Sequence, residues 1–87
     1  MRPLNFAILN YMTTVEKASY VEIMDDLKGE YGTFKQFNPK AISETLMTAM
    51  FNCLLVESGF ELNEDGTGRF YYTADEEGVK TIKSYIK

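Results

Sequence analysis

Apolar residues recur at three- and four-residue intervals through the first two thirds of the chain and then switch to alternation, which predicts helices followed by strands. Leu4, Ala7, Ile8, Tyr11, Met12 and Val15 share one side of a helical wheel and predict a first helix over 4–16. Ser19 followed by Glu22 is a capping-box pattern, with Ala18 placed to staple onto Ile23, so a second helix is predicted over about 19–31. Its inner face is Tyr20, Ile23, Met24, Leu27 and Tyr31; Glu22, Asp25, Asp26 and Gly29 lie away from it, and Gly32 suits a left-handed helix end. After a turning piece over 33–37, Asn38 and Pro39 supply an N-cap and a first-turn proline. The third helix is predicted over about 39–53, with Ile42, Leu46, Ala49, Met50 and Cys53 as its buried stripe and Asn52 as an exit residue.

From Val56 the period becomes two, with Val56, Ser58, Phe60 and Leu62 on one face and Glu57, Gly59 and Glu61 on the other. A turn-rich stretch over 63–68 separates this strand from Arg69, Phe70, Tyr71, Tyr72 and Thr73, so 56–73 reads as a hairpin. Asp75 then caps a last helix in which Val79, Ile82, Tyr85 and Ile86 face inward and Lys80, Lys83 and Lys87 line the outside, near the negative end of the helix dipole. No internal repeat or linker interrupts the order, so 1–87 is read as a single domain of α+β class.

Composition narrows the chemistry. The balance of 45% hydrophobic and 25% charged residues predicts a packed core instead of a disordered chain. The absence of histidine removes the usual general base and metal ligand, and one cysteine cannot build a zinc site, so neither an enzyme, a metal site nor a cofactor is expected. Cys53 stands alone, and no apolar leader or stretch of about 18 apolar residues occurs, so a reduced cytoplasmic protein without a membrane partner is expected. Glu61, Asn63, Asp65 and Gly66 imitate the opening of a calcium loop, but the twelfth position is Tyr72 where a bidentate glutamate is needed.

The order helix, helix, helix, hairpin, helix, with a turn before the third helix, resembles the winged helix-turn-helix domain over nearly the whole chain. Locally it is similar to bacterial regulators of the PadR-like and MarR-like kind. Asn52, Cys53, Leu54, Leu55 and Val56 stand where a recognition helix leaves into the first wing strand, and Tyr72, Thr73, Ala74, Asp75, Glu76, Glu77 and Gly78 stand where the wing closes into the next helix. Ala74 and Asp75 depart from the leucine and threonine common there, although Asp caps a helix as well as Thr does. The resemblance implies a three-helix core, a two- or three-stranded β-wing and a C-terminal helix.

It also implies that the third helix and the wing read DNA, with Lys35, Gln36, Lys40, Ser43, Glu44, Thr48 and Arg69 as contact candidates. Lys35 and Lys40 would meet phosphates, Gln36, Ser43 and Thr48 would hydrogen-bond base edges or backbone, and Glu44 could only accept. Phe6, Leu9, Phe51, Leu55 and Tyr85 are candidates for a homodimer or partner interface. The leading expectation is therefore a homodimeric transcriptional regulator. Against it stands a net charge of −4, with Asp25, Asp26, Glu30, Glu61, Glu64 and Asp65 around the reading surface, which favours the alternative of a protein-interaction module that ignores DNA.

Overall fold

The computed structural model describes residues 2–85. The chain runs α1 (Leu4–Met12), α2 (Tyr20–Tyr31), α3 (Pro39–Phe51), β1 (Val56–Leu62), β2 (Gly68–Thr73) and α4 (Glu76–Tyr85), an α+β architecture compatible with a winged-helix-like arrangement. The predicted position of Ile86 on the inner face and of Lys87 on the outer one lies outside the described residues.

α1 stops at Met12, four residues earlier than its apolar pattern suggests. The hydroxyls of Thr13 and Thr14 donate to the carbonyls of Asn10 and Tyr11, both at 2.7 Å, and their own N–H groups bond to the same oxygens. Threonine side chains thereby occupy acceptors that a continuing helix would need. α2 starts where the capping box places it: Ser19 N donates to Glu22 Oε1 at 2.8 Å, and Val21 N donates to Ser19 Oγ at 3.2 Å. Burial alone would raise the Glu22 pKa, but the hydrogen bonds from Ser19 and the nearby charge of Arg69 outweigh it and leave the carboxyl below its usual range. Gly32 is right-handed (φ −59°, ψ −23°), not left-handed, because the chain keeps turning: Gly32 N donates to Lys28 O, and Phe34 N to Tyr31 O.

Asn38 caps α3 through Ala41 N, with Pro39 in the first turn. The helix ends in a Schellman motif, in which Leu54 N donates to Ala49 O at 2.9 Å and Cys53 N to Met50 O at 3.0 Å. Cys53 occupies the left-handed position of that motif (φ 63°) and is exposed. It therefore does not join the buried stripe of α3, because the chain leaves the helix path at Cys53 itself. Leu55, just beyond the reversal, is driven into the core instead.

β1 and β2 pair antiparallel, Val56 with Thr73 through Leu62 with Gly68, and a bulge between Glu57 and Gly59 leaves Ser58 without an opposite residue. The bulge inverts the alternation at the base of the hairpin. Glu57, Phe60 and Leu62 share the face of Tyr72 and Phe70, whereas Val56, Gly59 and Glu61 share the face of Tyr71 and Arg69. The expected grouping of Val56 and Ser58 with Phe60 fails for this reason. Ala18 forms a single antiparallel bridge to Tyr72, so β2 has a neighbour on both sides. Burial raises the Tyr72 phenol above its ordinary pKa, and the charge of Glu57 adds to the shift.

The core gathers Leu4, Ala7, Ile8 and Met12 of α1, Ile23 and Tyr31 of α2, Ile42, Leu46 and Ala49 of α3, and Leu55, Tyr72 and Ile82. Asp75 caps α4 by accepting from Gly78 N at 2.8 Å. Gly78 is buried, and a Cβ there would run into the carbonyl of Leu54, so α4 lies directly on the segment leaving α3. No helix among the described residues is long and apolar enough to cross a membrane.

Candidate functional site

α3 and the hairpin lie side by side, separated by a shallow cleft of about 130 Å³ lined by Tyr20, Ser43, Leu46, Met47, Gly68, Arg69, Phe70 and Tyr72. The cleft exists because Tyr72 turns one face of β2 inward and the hairpin tip is tied to α2, with Asn63 Nδ2 donating to Tyr20 Oη at 3.1 Å.

The expected DNA-contact residues do not converge on this cleft. Ser43 and Arg69 line it, whereas Gln36, Glu44 and Thr48 line a different groove, between α3 and Leu4, Asn5 and Ile8 of α1. Lys35, in the turn before α3, and Lys40, in its first turn, are exposed. Arg69 is the one cation that the hairpin contributes, and its guanidinium is engaged within the hairpin. Its Nη2 donates to Glu61 Oε2 at 2.8 Å, Nη1 donates to Asn63 Oδ1, and Nε and Nη2 both reach Tyr71 Oη. Only 18% of its side chain is accessible. The hydrogen bond with Tyr71 raises the Arg69 pKa, and the charges of Glu61 and Glu22 act in the same direction. Lys17 lies over the other part of this network, 5.1 Å from the centre of the Tyr71 ring.

The calcium-like stretch is likewise occupied by its own turn. Asp65 Oδ1 accepts from Thr67 N at 3.0 Å and Thr67 Oγ1 at 2.6 Å, and these bonds lower its pKa. Asn63 Nδ2 donates to Thr67 Oγ1, and Gly66 takes the positive φ (89°) that closes the turn.

Exposed apolar side chains stand on the two elements that form the cleft. Met47 and Phe51 stand one turn apart on the outer face of α3, 41% and 74% exposed. On the hairpin, Phe70, which lines the cleft with Met47, packs against Phe60 at 4.9 Å between ring centres, with Leu62 on the same face as Phe60. Phe60 and Leu62 are 52% and 70% exposed. The helical wheel signals the α3 part of this surface, since Met47 and Phe51 fall away from the buried stripe of Ile42, Leu46 and Ala49. The exposure of Phe60 and Leu62 has no such signal, because alternation identifies a face without saying what covers it.

No known protein family, curated protein or solved structure matches the chain.

The interface candidates separate in the same way. Phe6, Phe51 and Tyr85 are exposed, Leu9 is half-buried against the core, and Leu55 is 1% exposed. Leu55 is thus a core residue that no second chain can reach, and Tyr85, expected on the inner face of α4, stands 66% exposed.

Proposed function

We propose that the chain is a winged-helix domain that docks another protein through the surface between α3 and the hairpin. The observation that carries this reading is the make-up of that surface. Where a DNA reader needs free cations, it offers Met47 on α3 and Phe60, Leu62 and Phe70 on the hairpin, and its one arginine is paired with Glu61. Exposed aromatic and methionine side chains with few charges at their centre are the composition of a protein interface. Exposed Lys35 and Lys40 are the only cations of α3 and the turn before it. Two phosphate contacts correspond to a log–log salt slope of only about −2, too shallow for a tight DNA complex.

The test measures binding to random-sequence duplex DNA at low and moderate salt, alongside photo-crosslinking in cells from a reactive residue at position 51. Protein docking predicts no DNA binding at low salt and a discrete adduct with a different protein, lost in Phe70→Asp. Salt-sensitive DNA binding that disappears in Lys40→Ala would overturn this reading in favour of a transcriptional regulator. Adducts formed only between copies of the chain would also overturn it, in favour of a homodimer.

A further inference from the structure

β2 is flanked by Ala18 on one side and β1 on the other, but among the described residues β1 has a neighbour on one side only. Among the described residues, no backbone hydrogen bond of Val56–Leu62 runs to an element other than β2. The outward N–H and C=O groups of β1 therefore face solvent, in position to pair with another strand. Natural edges are commonly guarded by charged side chains, lysine above all, by proline, by bulges or by a covering segment, and the guards of β1 are its two glutamates and one bulge. β1 contains neither lysine nor proline, and its bulge is confined to the base, leaving 59–62 in regular register. Phe60 and Leu62 stand beside this open stretch on the side that faces the cleft.

The charge pattern decides the occupant. Residues 56–68 hold four acidic side chains, Glu57, Glu61, Glu64 and Asp65, and no basic one. A second copy paired antiparallel along this edge would bring the acidic tip of one hairpin toward Glu57 at the base of the other. Like charges opposite one another destabilise a strand pair, and opposite charges stabilise it.

Resting on the protein-docking reading above, we propose that the free edge of β1 accepts an extended segment of a different protein as an added strand. Apolar residues of that segment pack beside Phe60 and Leu62, and the intervening Lys or Arg, on the opposite face, run toward the acidic tip. Main-chain hydrogen bonds supply affinity and alternate side chains supply selectivity, as in other strand-addition interfaces.

The probe is a short synthetic peptide of alternating Lys and Val, added to the full chain while amide hydrogen exchange is followed by NMR. The controls are the same peptide N-methylated on alternate residues and a Glu–Val counterpart. The Lys–Val peptide is expected to slow exchange of the outward amides within 59–62. That protection should be lost with the N-methylated peptide, with the Glu–Val peptide and in Phe60→Lys, whose exposed side chain makes it a safe substitution for the fold. Unchanged exchange with every peptide, or protection that grows with protein concentration alone, overturns strand addition. Shifts confined to Met47 and Phe51 also overturn it while leaving protein docking through the cleft intact. Protein docking itself falls only if salt-sensitive DNA binding or exclusive self-crosslinking is found.

Discussion

Cys53 and Gly78 mark the two positions where single atoms decide the backbone. Cys53 adopts the left-handed conformation (φ 63°) that glycine adopts without strain. Because its side chain is exposed and closes the Schellman turn without filling the core, Cys53→Gly should stabilise the fold by about 1 kcal/mol. Urea denaturation checks this, and an unchanged or lower midpoint would show that the thiol contributes packing. Gly78 behaves oppositely. In an open helix Ala is better than Gly by about 1 kcal/mol, but here the added methyl would meet the Leu54 carbonyl. Gly78→Ala should therefore cost about 1–3 kcal/mol, the range of overpacking, with a matching loss in Tm.

Elements are delimited by polar side chains near their ends. The Ser19–Glu22 box starts α2, and Ser19→Ala should destabilise the chain by about 1 kcal/mol. The same contact has a pH signature. Glu22 titrates below its ordinary range in the folded state, so the unfolded chain binds the proton more readily as the solution becomes acidic. Its contribution is present at neutral pH and is lost as pH falls through the depressed folded value. Stability of the parent chain should therefore drop more steeply in acid than that of Ser19→Ala, as chemical denaturation across the acidic range would register. A neighbouring pair acts at the other end of the scale. Tyr11 Oη donates to Asp26 Oδ2 at 2.7 Å, and burial together with that bond pushes the phenol up to about 12. This bond ties α1 to α2.

At the scale of the molecule, α3 divides its side chains between two environments. Leu46 is buried against Tyr72 and the cleft floor, while Met47, the next residue, lies on the exposed rim. Leu46→Ala should cost about 2–5 kcal/mol, whereas Met47→Ala should stay within about 0.5 kcal/mol. Equal losses at the two positions in urea denaturation would mean that the hairpin closes over α3 in solution, removing the open cleft on which the proposed docking surface depends. The same geometry distributes the residues expected to contact DNA over separate places. A groove against α1 takes Gln36, Glu44 and Thr48, the hairpin's internal network takes Arg69, and the cleft retains apolar side chains.

Local chemistry alone determined the element order, the caps at Ser19, Asn38 and Asp75, the proline at the start of α3 and the apolar faces of α2 and α3, because each rests on hydrogen bonds or periodicity within a few residues. The early end of α1 was legible only in part, since whether a threonine hydroxyl bonds backward depends on the surrounding backbone. Burial beyond a single helix face could not be read from the chain. The bulge at Ser58 that reverses the base of β1, the reversal that exposes Cys53 and buries Leu55, and the capture of Arg69 by Glu61 and Asn63 all depend on partners distant in sequence or on backbone conformation. Periodicity specifies which side chains share a face; only tertiary packing decides whether that face meets the core, a neighbour or solvent.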